Sequence, residues 1–249
     1  MSEKSNIQWT DATWNIARGC SKVDDDCKFC YMYRESYSGT RYDPYIVNRT
    51  KTVFNLPLKI KEPSKIFTCS LTDFFHEGID SFRHEAWEII RKCPQHTFQI
   101  LTKRPERITF PDFWEEIKER VWLGTSVGSD AGIGRITELI KFRNFAHKLF
   151  ISFEPLHDEI SNFDISTLCN IDWIIIGGES GNDTGKYRYR PCKIEWIESL
   201  VNDFRVTSKI FVKQLGTHLS KEMKLTDRHG GNIEEFPEHL RIREFPINV

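Results

Sequence analysis

The chain has 249 residues, 39% of them hydrophobic and 29% charged, with a net charge of −1. That is enough for one large domain with a sizeable core, and it excludes a uniformly basic protein, so any surface that takes up anions must be local. No apolar run reaches the ~18 residues of a membrane span, and Met1-Ser2-Glu3-Lys4 carries no apolar signal segment, so no membrane partner and a cytoplasmic location are expected.

In chain order the pattern alternates between strand and helix. Ile7 to Gly19, rich in Trp, Thr and Asn, reads as a first strand ending at a cysteine loop. Cys27 to Tyr37 has helical character, which would set Cys27 and Cys30 one turn apart. Ser38 to Pro63 is irregular, basic and rich in tyrosine. Ile66 to Leu71 reads as a strand with Asp73 to His76 as the loop after it. Ser81 to Cys93 is an amphipathic helix, with Phe82, Ala86, Ile89 and Ile90 at helical spacing and Pro94 as a stop. The strand Thr97 to Leu101, the short helix Phe113 to Arg120, the strand Val121 to Val127, the helix Ile133 to Phe142 and the strand Lys148 to Phe153 follow. Asp172 to Ile176 is a buried strand, Ile194 to Phe204 a helix, and Ile210 to Val212 a last strand. The tail from Thr217 is polar and irregular.

Short apolar strands separated by helices mean an α/β protein with a parallel sheet. The length fits a partial (β/α) TIM-type barrel of about six to seven parallel strands, formed by residues 1–216, with 217–249 as an irregular C-terminal extension packed on it. No G-x-G-x-x-G or G-x-x-x-x-G-K-[ST] follows a strand, which removes support from the usual nucleotide-binding open sheets.

Three of the seven cysteines, Cys20, Cys27 and Cys30, are spaced C-x6-C-x2-C. In a reducing compartment such thiols read as metal ligands rather than disulfides. Three thiolates suit an iron–sulfur cluster with one iron left open, or zinc with a fourth ligand such as His76 or His84, or they ligate nothing; the pattern is not a common zinc one. Cys69, Cys93, Cys169 and Cys192 read as core or spectator residues, and Asp24-Asp25-Asp26 as a solvated turn.

In β/α barrels the chemistry sits at the C-terminal strand ends. Here those ends bring Ser70, Thr72 and Asp73; Thr102, Lys103 and Arg104; Ser126; Ser152 and Glu154; Gly177, Gly178, Glu179 and Ser180; and Lys213 with Gln214. Loops are polar anyway, which accounts for Ser and Thr. It accounts less well for charged groups abutting apolar strands at Lys103, Glu154, Glu179 and Lys213. Gly177-Gly178 either lets a ligand approach the backbone or makes a tight turn, and Glu179 is suited to hold an ammonium group. Gly185 to Lys193 alternates basic and aromatic residues; Arg188 and Arg190 there suit phosphate contacts beside stacked bases, or the segment is a solvated loop before a helix. Arg190 has the further option of pointing into the mouth.

Thr10-Asp11-Ala12-Thr13-Trp14-Asn15, Gly19-Cys20 through Cys30-Tyr31, Thr72-Asp73-Phe74-Phe75-His76-Glu77 and Phe98 through Pro105 together resemble a family of phage and prophage proteins described as radical-SAM-like and of unknown function. So do Trp122 through Val127, Ser152 through Leu156, Trp173 through Gly181, Arg190-Pro191 and Phe211 through Gly216. The resemblance implies a partial TIM barrel holding a [4Fe–4S] cluster on Cys20, Cys27 and Cys30, with S-adenosyl-L-methionine on the fourth iron and a 5′-deoxyadenosyl radical as the product of its cleavage. It implies an electron donor such as flavodoxin or ferredoxin, and a nucleic acid or nucleotide as the substrate, modified or repaired. On this resemblance Ser70, Asp73, Ser126, Glu154, Gly177, Gly178, Glu179 and Gln214 are cofactor contacts. Lys103 and Lys213 are candidate catalytic groups, and Arg104, Arg188 and Arg190 substrate contacts. Two features differ from the usual radical SAM pattern: the first cysteine gap is longer than in C-x3-C-x2-C, and the Gly-Gly-Glu element comes late. The rival expectation is a non-catalytic phage protein that binds nucleic acid or another partner and holds a structural metal.

Overall fold

A computed structural model describes residues 5–33, 43–164, 169–185 and 187–246. Along the chain come β1 (Ala12–Trp14), β2 (Ala17–Arg18), β3 (Asn48–Arg49), β4 (Lys65–Thr68), α1 (Arg83–Lys92), β5 (Thr97–Thr102), α2 (Trp114–Ile117), β6 (Val121–Ser126) and α3 (Gly134–Ile140). They are followed by β7 (Lys148–Leu156), β8 (Trp173–Gly178), α4 (Ile194–Phe204), β9 (Lys209–Gln214) and α5 (Gly216–Glu222). Seven of the strands form one all-parallel sheet in the order β1-β4-β5-β6-β7-β8-β9, and β2 and β3 pair antiparallel beside it. The order never reverses, so the sheet grows in one direction, as in a barrel and unlike a doubly wound sheet.

The aromatic side chains show how far the sheet curls. Trp9, just before β1, meets Trp173 at the start of β8 with ring centroids 6.1 Å apart. Five strand steps of about 4.8 Å separate β1 from β8, so on a flat sheet these rings would not touch. The sheet is a half-barrel closed on an aromatic cluster: Trp9, Phe67, Trp122, Phe150, Trp173 and Phe211.

The period-2 alternation of a strand sorts side chains between this interior and the helical layer. On β7, Leu149, Ile151 and Phe153 join the outer core while Phe150 points inward; on β8, Ile174 and Ile176 go out while Trp173 and Ile175 go in. Ile197, Leu200, Val201 and Phe204 of α4 cover the outer face at helical spacing. Within the barrel Gly124 on β6 is in register with Phe150 on β7, and a Cβ on Gly124 would lie 2.5 Å from the Phe150 ring. The missing side chain is what lets the ring occupy the interior.

Three sequence expectations change. Phe113 to Arg120 is α2 followed by a 3-10 turn, Lys118–Arg120. The segment from Cys27 contains only single 3-10 turns, Asp25–Cys27 and Tyr31–Tyr33; Arg34 to Tyr37, and Ser38 to Tyr42 of the basic, tyrosine-rich stretch, lie outside the described residues. The tail is more than a polar appendage. It opens with α5, buries Phe236 and Leu240 in the outer core, and then pairs antiparallel along β9 through Val212 N–H to Ile242 O at 2.8 Å and Glu244 N–H to Ile210 O at 2.8 Å. Phe245 then packs on Trp173, centroids 5.5 Å apart. This covers an edge strand that would otherwise offer free backbone groups. Among the described residues no helix is long and apolar enough to cross a membrane.

Gly124→Ala is expected to lower stability by about 1–3 kcal/mol through overpacking, and adding Phe150→Leu should recover part of that loss. Urea unfolding of the two variants measures both.

Candidate functional site

The inward rows of the strands, three of them beginning in aromatics, end in polar groups. Phe150 continues to Ser152 and Glu154, Trp122 to Ser126, Gln99 to Lys103, and Phe211 to Lys213, because residues two apart share a face. These ends meet around a cavity of about 640 Å3. Its floor includes Trp9, Phe67 and Leu101, and its wall carries Cys20, Cys27 and Cys30 together with Lys103, Arg104, Ser126, Glu154, Glu179, Lys213 and Gln214. Ser70, Asp73 and Gly178 also reach it. Arg188 is exposed on the loop after β8 and is not part of the lining; Lys186 lies outside the described residues.

The three cysteines are half-buried and unbonded to one another. Burial pushes the Cys20 thiol up to about 12; the Asp73 charge adds to this and the Arg104 guanidinium works against it. Burial also raises Cys30. Among the described residues no three His, Cys, Asp or Glu side chains are grouped so as to hold a metal ion. His76 does not serve as a spare ligand: its Nε2 is 2.9 Å from Ser21 Oγ and its Nδ1 accepts the Gly78 N–H at 2.9 Å. His84 is on the solvent side of α1, beside Phe113.

The cysteine loop takes its position from anchors, having almost no regular structure of its own. Gly19 has φ +100°, and a Cβ there would fall 2.1 Å from Ile46 O, so the entry to the loop requires glycine. Arg104 donates to Ser21 O at 2.9 Å and to Ser21 Oγ at 2.7 Å. Arg190 donates to Asp25 O at 2.7 Å. Asp26 overturns the expectation of a solvated Asp triplet. It is 4% exposed, and its carboxylate accepts the Gly128 N–H at 3.0 Å, lies 2.8 Å from His157 Nε2 and is ion-paired with Arg135. Burial alone would raise its pKa. The His157 hydrogen bond, the Lys103 charge, the Gly128 N–H and Arg135 outweigh that and hold it well below the usual carboxylate range.

The other carboxylates are matched as well. Asp73 accepts Thr102 Oγ1 at 2.7 Å, the Lys103 N–H at 2.8 Å and Arg104 Nη1 at 3.3 Å. Arg190 grips Glu179 with Nε and Nη2, both at 2.8 Å, so the ammonium-binding role expected of Glu179 is already filled by a guanidinium, and Arg190 itself is not part of the lining. Lys213 Nζ is 2.7 Å from Glu154 Oε1. Among the described residues Glu154 Oε2 meets only the Ser152 hydroxyl, at 3.3 Å. Lys103 forms no ion pair among the described residues; its ammonium donates to Ser126 Oγ at 2.7 Å, and Ser126 in turn donates to Glu154 O.

The two glycines of the β8 end answer to protein neighbours. A Cβ on Gly177 would stand 2.6 Å from Glu154 Oε1, and one on Gly178 would stand 2.2 Å from Leu215 O. Gln214 Nε2 donates to Gly178 O at 2.7 Å, and Ser70 Oγ accepts from Asn15 Nδ2 at 3.0 Å. Cys69, expected to be a core or spectator residue, is buried in the core at a left-handed backbone position, φ 72°, and also borders the cavity. Sequence reading missed Arg135 and His157: their partner, Asp26, lies more than a hundred residues earlier, Arg135 sits within α3, and β7 runs on to Leu156, past the strand end expected at Phe153.

His76 generates a pH prediction. Burial, then the Arg104 charge, lower its pKa, so it is neutral in the fold and Nδ1 is free to accept from Gly78. A folded-state value below the unfolded one, about 6.5, means that its contribution to stability is full above that pH and is lost as pH falls below it. Denaturant unfolding of His76→Gln between pH 8 and 5.5 should show a shallower fall in stability than the wild type.

Residues 4–237 match the model of a family described as Protein of unknown function (DUF5131). No curated protein and no solved structure matches the chain.

Proposed function

We propose that this chain, which belongs to the DUF5131 family, is an S-adenosylmethionine-dependent iron–sulfur enzyme of the radical type, acting on a substrate of the nucleotide or nucleic-acid class. The observation that carries the reading is that three thiols and an ammonium that forms no ion pair among the described residues line one cavity at the C-terminal ends of parallel strands.

The donor set fits a cluster better than a single ion. One ion gathers its ligands into one coordination sphere, and no such grouping exists among the described residues. A cluster takes each thiolate on a different iron and asks for wider spacing. Cys20, Cys27 and Cys30 would hold it, losing their thiol protons on binding. When bound, such a cluster supplies the electron that cleaves the sulfonium of S-adenosylmethionine to methionine and a 5′-deoxyadenosyl radical.

The chain's own residues then have distinct tasks. Lys103, steadied by Ser126, receives the carboxylate of the methionine moiety. Glu154 Oε2 accepts its amino group, a role Glu179 cannot take while Arg190 occupies both its oxygens. Lys213 orients Glu154. Trp9, Phe67 and Leu101 keep water from the reacting centre. A flavodoxin- or ferredoxin-like carrier is the matching electron source.

Anaerobic reconstitution should give about four irons per chain, and dithionite with S-adenosylmethionine should yield 5′-deoxyadenosine. Cys27→Ala should abolish both. Iron-replete protein that neither binds nor cleaves S-adenosylmethionine sinks the reading, and salt-sensitive nucleic-acid binding by that protein would then favour a non-catalytic role. Lys103→Met should weaken S-adenosylmethionine binding about tenfold, the scale of one hydrogen bond to a charged group, with iron content unchanged.

A further inference from the structure

The stretch between Cys20 and Cys27 is six residues long, and its last residue, Asp26, enters a socket built by other parts of the chain. Gly128 follows β6, Arg135 belongs to α3, and His157 follows β7. The socket is shaped for a carboxylate. A Cβ on Gly128 would lie 2.8 Å from Asp26 Oδ1, and the Cβ position of Gly132 is 2.3 Å from Arg135 Nη2, so both glycines leave room for the pair. Ser129 Oγ lies a further 3.4 Å from Asp26 Oδ1. Arg135 also pairs with Asp24, and its Nε donates to Ser126 O at 2.8 Å. The socket therefore reaches the serine that steadies Lys103.

A carboxylate is costly to bury unless several donors meet it, and once they do, removing it leaves those donors stranded. The loop has no helical ladder to hold its shape. The socket therefore sets where the residues after Asp26 go, and the next residue is Cys27. We propose that Asp26 is a positioning residue: through Gly128, Arg135 and His157 it fixes Cys27 and Cys30 on the cavity wall, and the six-residue gap serves to deliver its carboxylate. The purpose of that positioning rests on the cluster reading; the positioning itself does not.

The test uses the metal-free full chain and iodoacetamide, with mass spectrometry reading each cysteine separately. Loss of a charged hydrogen bond makes local opening about tenfold or more easier, so Asp26→Ala should speed alkylation of Cys27 and Cys30 by at least that factor. Exposed Cys169 should be unchanged and buried Cys192 should stay protected. His157→Ala should act in the same direction, and His157→Gln, which keeps an N–H for the carboxylate, should restore protection. Restoration by the conservative variant is what a general loss of stability would not give. Unchanged labelling of Cys27 and Cys30 in a folded Asp26→Ala chain overturns the proposal. If that variant does not fold, the His157 pair decides: equal labelling in the Ala and Gln variants overturns it. Selective labelling as expected, with a wild type that takes up no iron, leaves the positioning standing and removes the cluster. Normal iron uptake by the wild type with unchanged labelling does the reverse.

Discussion

A carboxylate removed from water has to be met by positive charge or by hydrogen-bond donors, and the mouth of this half-barrel holds four of them. Asp26 meets Arg135 and His157, Asp73 meets Arg104, Glu154 meets Lys213, and Glu179 meets Arg190. The partners come from different strand ends and loops, so each pair also ties two parts of the mouth together. Arg104 and Arg190 go further and hold the backbone of the cysteine loop. The mouth is thus a ring of matched charges, in which Lys103 differs, among the described residues, by bonding to a hydroxyl and not to a carboxylate.

Much of this was legible because strands have a period of two. A strand that starts with an inward aromatic must end with an inward residue an even number of positions later. Phe150 therefore predicts Ser152 and Glu154, and Phe211 predicts Lys213. The expected count of about six to seven strands follows from the β/α alternation, and that rule with it sets Lys103, Glu154 and Lys213 at one mouth. What was not legible depends on pairs distant in sequence. Nothing local distinguishes Asp26 from Asp24 and Asp25; only the arrival of Arg135, Gly128 and His157 does. The Gly177-Gly178 pair read equally as a ligand approach or a tight turn, and the contacts that require glycine there are with the Glu154 carboxylate and Leu215 O. The tail looked polar because its few apolar residues are widely spaced, yet Phe236, Leu240 and Phe245 each find a place in the core or against it.

The interior divides into two layers with different physics. Below, the aromatic cluster is held by area and shape, and Gly124 is its concession to the Phe150 ring. Above, polar groups are held by direction and charge. A change below alters stability, whereas a change above alters which charges remain unmatched, so the two layers can vary with some independence.

The tail that pairs along β9 gives the molecule an order of assembly. A chain emerging from its N-terminal end presents all seven parallel strands before Ile242 and Glu244 exist to cover the last of them. Until then β9 has an open edge and Trp173 lacks the Phe245 ring. In chain order the sheet is therefore complete before residues 242–245 reach its β9 edge.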